Sequence, residues 1–162
     1  NHTLLPYSKN PPNRIITDDD ILFFDFGPVF EQWEADLGRT YVIGNNREKL
    51  RLKSDVESCW NLGKEYFDND PSMTGATLYE YVCDLAESRS WEFGNEHCGH
   101  LIGKFPHERI QGEKTLNYIH PENHTPMNAP DQYGEPRDWI LEIHFIDPRQ
   151  KIGGFFEQIL TC

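Results

Sequence analysis

No apolar run in this chain approaches the ~20 residues that a membrane-spanning helix needs, and no basic-apolar-small leader opens it. The expectation is a soluble protein with no membrane partner. Cations are scarce: 15 Lys and Arg stand against 27 Asp and Glu, a formal charge of -12. An acidic surface repels nucleic-acid phosphates and anionic bilayers, so nucleic acid is excluded as a partner class. Cysteine is sparse as well. Cys59, Cys83, Cys98 and Cys162 are irregularly spaced and include no Cys-x-x-Cys pair, which excludes a disulfide scaffold and favours a reducing, cytoplasmic setting. Repeats and low-complexity tracts are lacking too.

Aromatic residues are abundant: ten Phe, seven Tyr and four Trp in 162 residues, with 37% hydrophobic content. That is enough for one sizeable core, and the expected organisation is a single domain over residues 1–162. The first residue is Asn1, not Met, as expected of a processed product or a piece of a longer polypeptide.

Ile21 to Phe26 is a short apolar run that reads as a buried strand, and after Gly27-Pro28 strand-like residues resume to Ile43, so 21–43 is expected as a hairpin. Leu52, Val56, Cys59, Trp60 and Phe67 recur at three- and four-residue steps, which predicts a helix between Arg47 and Phe67. A second helix is expected from Thr77, because Thr77 and Glu80 have capping-box spacing ahead of Val82 and Leu85. Gly94, Gly99 and Gly103 break up the segment holding His97, His100 and His107 into loop and short strand. Residues 111–138 are polar and irregular, the character of a substrate-covering loop. Trp139 to Ile146 and Phe155 to Leu160 read as a second hairpin turning through Pro148-Arg149-Gln150-Lys151.

Ten residues separate Asp25 from Asp36, and fourteen separate Glu142 from Glu157. An even number lets two positions of a bulge-free antiparallel hairpin face each other on one side of the sheet. Opposed carboxylates among Phe and Ile side chains repel unless they are protonated or bridged by cations. Four carboxylates match the charge of two divalent cations, and His100, beside Gly99, offers an imidazole. Mixed carboxylate and imidazole ligation suits Mn, Co, Fe or Zn better than calcium. Taken singly, each residue has an ordinary explanation: a turn carboxylate, a wet strand face, a hydrogen-bonded structural histidine. The ordered combination is what points to metal.

That combination resembles the methionine aminopeptidases, Xaa-Pro aminopeptidases and prolidases. The matching residues are Asp25-Phe-Gly, Ala35-Asp36-Leu-Gly-Arg39-Thr40, Gly99-His100-Leu-Ile-Gly103-Lys-Phe-Pro-His107-Glu108, Trp139-Ile-Leu-Glu142 and Phe156-Glu157, and the likeness runs over residues 18–160. It implies an α+β pita-bread fold, a curved and mostly antiparallel sheet covered by helices, here lacking its N-terminal part. It implies two divalent metal ions, Mn first, held by Asp25, Asp36, His100, Glu142 and Glu157, with Asp36 and Glu157 bridging. The implied activity is peptide hydrolysis near an N-terminus, of the Xaa-Pro type, by a hydroxide activated between the metals. His107 would contact the substrate carbonyl and Glu142 would shuttle protons to the leaving amine. The implied partner is a small peptide or other small molecule, and the family admits a homodimer. Relatives carry a further histidine ahead of the first Asp, where this chain has Tyr7-Ser8. Alternative readings are a hydrolase or lyase of a small non-peptide metabolite, or a noncatalytic binding module on the same fold. Among the remaining side chains, His97 is expected behind His100, Arg39 is expected to orient a ligand carboxylate, and His144 shares a strand face with Glu142.

Overall fold

The computed structural model describes residues 15–104 and 114–161. Two outer strands, β1 (Ile21–Phe26) and β4 (Leu37–Val42), pair antiparallel from Ile21 opposite Val42 to Phe26 opposite Leu37. Between them Gly27-Pro28 interrupts the ladder, because proline has no N–H to donate. A smaller ribbon of β2 (Val29–Phe30) and β3 (Trp33–Glu34) follows, closed by Glu31 and Gln32 at φ 47° and 76°. Two consecutive positive φ values match the twist of a two-residue hairpin loop. The single hairpin expected over 21–43 is therefore two nested ones.

Helix α1 (Arg47–Asp68) starts at Asn46, whose side chain accepts from the backbone N of Glu48 and Lys49 at 3.1 and 3.2 Å. Two orphan donors are satisfied there. Its buried stripe is Leu52, Val56, Cys59, Trp60 and Gly63, as the three- and four-residue steps predict. Helix α2 (Gly75–Ser88) begins earlier than expected, capped by Thr74, with Thr77 N donating to the Thr74 hydroxyl at 3.2 Å. The Thr77 cap is thus corrected by three residues. The reason is tertiary: Asn123 O accepts from Ala76 N at 2.8 Å, which holds the extra turn.

The main sheet runs β1-β4-β8-β7-β5, with β6 (Gly99–Ile102) also on β7 (Asp138–Asp147); β5 is Glu92–Phe93 and β8 is Ile152–Ile159. The described pairings are antiparallel. The β7–β8 turn is locked by the Asp147 carboxylate, which accepts from Arg149 N and Gln150 N at 2.8 and 3.1 Å. On one face, Leu141, Ile143, Phe145 and Phe156 join the core with α1 and α2. Trp60 donates its indole N–H to Leu141 O at 3.0 Å and tilts against Phe156. Burying each such side chain contributes about 1.5–3 kcal/mol. Strand alternation sends Ile140, Glu142, His144, Phe155, Glu157 and Ile159 to the other face, and Glu142, His144 and Glu157 are buried there too.

Residues 118–127 do not form the expected substrate cover. Ile119, Asn123 and Met127 are buried, Asn123 donates to Tyr118 O at 2.9 Å, and Met127 N donates to Met73 O at 2.8 Å. This stretch is packing material for the start of α2.

Candidate metal centre

One row of residues crosses four strands: Asp25 on β1 faces Gly38 on β4, Gly38 faces Glu157 on β8, and Glu157 faces Glu142 on β7. The Glu142–Glu157 opposition is the one the residue count predicts. The opposition of Asp25 to Asp36 is corrected: Asp36 lies just outside β4, two residues from Gly38. Its reach into the site comes from β3. Glu34 N donates to Gly103 O at 3.0 Å and Trp33 bridges Lys104, which ties the chain before Asp36 to the end of β6.

Gly38 is needed in the middle of the row. A Cβ there would sit 2.1 Å from the Phe155 ring and 2.8 Å from the Glu157 Cβ, so only glycine lets β8 bring Glu157 under β4. The strands are stitched by side chains at this point. Thr40 Oγ1 donates to Phe155 O at 2.8 Å and accepts from Phe155 N at 2.7 Å. Arg39 donates to Gly38 O at 2.7 Å and Glu157 O at 2.6 Å, reaches Gln158 Oε1, and lies over the Phe156 ring. Arg39, expected to orient a ligand carboxylate, instead braces the backbone of Glu157 from the helical face through Glu157 O and Gln158 Oε1.

His100 sits on β6 opposite Ile140. Gly99 allows the approach, since its φ is 146° and a Cβ would lie 2.0 Å from Ile140 O. The imidazole Nδ1–H donates to Leu101 O at 2.9 Å. That leaves Nε2 facing inward, 3.2 Å from Glu142 Oε1 and 3.6 Å from Asp36 Oδ2. Asp36, His100 and Glu157 each present a ligating atom within 4.8 Å of the other two.

The electrostatics are strained. Burial, then the charges of Glu142, Asp36 and Asp25, push the Glu157 carboxyl up to about 11. Burial disfavours a charged His100, yet the hydrogen bond and charge of Glu142, with Leu101 O and Asp36, raise it to about 9. Burial also opposes ionisation of Glu142, but hydrogen bonds from His100 and His144 hold it well below the usual carboxylate range. Asp25 is raised by partial burial and by Asp36 and Glu142. Glu157 Oε2 is buried with no hydrogen-bond partner. An unpartnered carboxylate oxygen is costly, and it lies among acids and a histidine whose outer nitrogen is already satisfied. This donor set fits divalent transition metals: carboxylates, one imidazole with its tautomer fixed, and repulsion that a cation relieves.

Of the residues named from sequence, Asp36, His100, Glu142 and Glu157 converge, and Asp25 joins the same row at the outer strand. His107 lies outside the described residues. His97 stands against Tyr118, with ring centroids 4.7 Å apart, and burial lowers its pKa. His144, expected on the same strand face as Glu142, is in direct contact with it: its Nε2 is 2.7 Å from Glu142 Oε2. Gly38 was missed, though a glycine inside a β-rich run is the usual sign of close backbone approach. A cavity of about 250 Å³ adjoins Asp36, walled by Trp33, Ile102, Ile140 and Ile159, with Asp138 at its margin. Its three isoleucines lie two residues from His100, Glu142 and Glu157, so strand alternation was the signal for them.

The family model of metallopeptidase family M24 matches residues 1–142. A methionine aminopeptidase of Mycoplasma capricolum is 26% identical over 101 residues, 60% of this chain and 39% of that protein. A methionine aminopeptidase 1 of Saccharomyces cerevisiae is 25% identical over 99 residues, 60% of this chain and 25% of its own length. The chain thus spans less than half of these curated relatives. Among solved structures, a dipeptidase from Pyrococcus horikoshii superposes with TM-score 0.72 at 17% identity, covering 95% of this chain and 39% of that one. An X-Pro aminopeptidase from Thermotoga maritima gives 0.68 at 21% identity, with 91% and 41% covered. The fold is the α+β pita-bread fold that the residue pattern implied. With the family model matched over 142 of 162 residues, this chain belongs to metallopeptidase family M24.

Proposed function

We propose that the chain, acting as one domain over residues 1–162, is the metal-binding part of a dinuclear peptidase. It hydrolyses the peptide bond next to an N-terminal residue, in the manner of an Xaa-Pro aminopeptidase or dipeptidase. The observation that carries this reading is the buried, unpartnered Oε2 of Glu157 beside Asp36, His100 and Glu142. Asp25, Asp36, His100, Glu142 and Glu157 are the proposed ligands of two divalent ions, with Mn favoured over Co, Fe or Zn. When bound, such ions supply Lewis acidity toward the amide carbonyl and acidify water at neutral pH.

The chain's own side chains do the rest. The Glu142 carboxylate, directed at the site, moves a proton from water to the leaving amine. His107 is assigned by the family pattern to the substrate carbonyl, where an imidazole N–H stabilises developing negative charge. The cavity beside Asp36 takes an apolar substrate side chain: its walls are isoleucine and tryptophan, and its volume of about 250 Å³ suits one residue. The Xaa-Pro preference leans on the likeness to the X-Pro aminopeptidase of Thermotoga maritima. A cytoplasmic setting fits the free thiols of Cys59, Cys83 and Cys98. Among the described residues no helix is long and apolar enough to cross a membrane.

The test is hydrolysis of Xaa-Pro dipeptides and Met-initiated peptides by protein loaded with Mn²⁺ or Co²⁺. Cleavage of Xaa-Pro substrates is expected, lost on chelation, and reduced roughly 1000-fold in Asp36→Ala, about 4 kcal/mol of transition-state stabilisation. Protein that binds the metal stoichiometrically yet cleaves neither peptide class contradicts the peptidase reading.

A further inference from the structure

We propose that His144 is a positioning residue that sets Glu142 for metal ligation; the inference rests on the metal reading of the site given above. His144 lies two residues along β7 from Glu142, so the two side chains project from the same face. Its Nε2–H donates to Glu142 Oε2 at 2.7 Å, while the other oxygen, Oε1, lies 3.2 Å from His100 Nε2. Both residues are out of solvent, at 4% and 5% exposure.

The imidazole has little room to turn. Its ring centroid is 4.6 Å from that of Phe155, the residue directly opposite on β8, and 6.2 Å from that of Phe93, which meets it edge to face. Its backbone is tied as well, since His144 O accepts from Gly94 N at 2.9 Å. A clamped donor pins one oxygen of the carboxylate and thereby fixes the rotation of the whole group. Glu142 then presents Oε1 alone toward His100, a one-oxygen ligand with a preset direction. Partners behind a ligand commonly matter in this way, because an unheld carboxylate spends binding energy on being ordered. The usual arrangement has a carboxylate steadying an imidazole ligand; here an imidazole steadies a carboxylate ligand.

The alternative is that the bond merely satisfies a buried acid and has no bearing on metal. The two are separated by Mn²⁺ titration of the metal-free full chain, calorimetrically, for parent, His144→Phe and His144→Gln. Phenylalanine keeps the aromatic packing and removes the donor, whereas glutamine places an amide N–H near the position of Nε2. The expected result is a 10- to 100-fold weaker Mn²⁺ affinity in His144→Phe, with His144→Gln within a few-fold of the parent. Equal affinity in parent and His144→Phe overturns the proposal while leaving the metal reading intact. Equal losses in the two variants overturn it too, because a donor in place would then not help. If His144→Phe does not fold, His144→Leu, which also removes the donor, is titrated in its place and judged by the same criterion. A parent chain that binds no Mn²⁺ sinks the metal reading and this inference together.

Discussion

The β7–β8 hairpin sets Glu142 directly opposite Glu157 in the middle of the sheet, at 5% and 3% exposure, whereas β1 and β4 set Asp25 opposite a glycine at the solvent edge. Both hairpins deliver two acids to one site, but only the inner one holds them where water cannot reach. There, Glu142 is ionised and accepts from two histidines, while Glu157 is held protonated by burial and by the neighbouring carboxylates. The outer pair keeps part of its solvation and has its acids out of register. The lesson is that electrostatic strain and ligation are divided: the inner hairpin stores the strain, and the outer one completes the donor set cheaply.

The largest effect expected from this contrast is on the pH dependence of the metal-free protein. The folded pKa of Glu157 is raised from 4.5 to about 11. Its contribution is therefore fully present below the ordinary value and is lost as pH rises toward the raised one. His100, raised from 6.5 to about 9, has the same sign and is lost over that higher window. Glu142, depressed, acts oppositely and costs stability only as pH falls below its ordinary 4.5. Thermal melts of chelator-treated protein should thus decline from pH 5 to pH 9, by as much as about 1.4 kcal/mol per pH unit where one proton is at stake. Glu157→Gln should flatten most of that slope and melt above the parent at pH 8. A parent whose melting temperature does not change over this range would remove the strain from the inner hairpin.

A smaller, local effect is expected at the seam between the hairpins. Gly38→Ala forces a methyl into the Phe155 ring and against the Glu157 Cβ, an overpacking cost of about 3 kcal/mol, or roughly 6–12 °C in Tm for a chain of this size. Gly27→Ala, at the outer ribbon, meets nothing nearer than Glu34 Oε1 at 3.5 Å and should stay within about 0.5 kcal/mol of the parent. Equal losses at both positions would mean that the seam is no tighter than the rim.

The inner hairpin was legible from sequence because a four-residue turn leaves no room for a bulge between Asp147 and Ile152. Counting residues then gives the Glu142–Glu157 register directly. Helix α1 was legible for a similar reason, its apolar stripe being unbroken from Leu52 to Trp60. The outer register was not. The count assumed one uninterrupted ladder, and Pro28 instead diverts the chain into β2 and β3, which pair with each other and with Gly103. Nothing local announces that last contact, 69 residues away in the chain. The start of α2 failed likewise: Thr74 and Thr77 are both plausible caps, and the choice is made by Asn123 from a distant loop. His144 was visible only as a parity argument, since a hydrogen bond between alternate residues of a strand depends on rotamers that Phe93 and Phe155 impose.

The smallest effect on stability, and the one that sharpens the contrast most, is expected for Asp25→Asn. Asp25 feels Asp36 and Glu142, but it stands on the edge strand with water within reach. Removing its charge should leave the metal-free stability within about 0.5 kcal/mol of the parent and relieve Glu157 only slightly, because Asp25 ranks behind Glu142 and Asp36 among the charges acting on it. Metal binding should respond more. Losing one of five proposed ligands is expected to weaken Mn²⁺ affinity by about tenfold or more, at least 1.4 kcal/mol. Melting the metal-free variant and titrating it with Mn²⁺ measures both quantities on one preparation. A variant as stabilised as Glu157→Gln would show that the outer hairpin is strained like the inner one, and a variant with parental Mn²⁺ affinity would remove Asp25 from the ligand set.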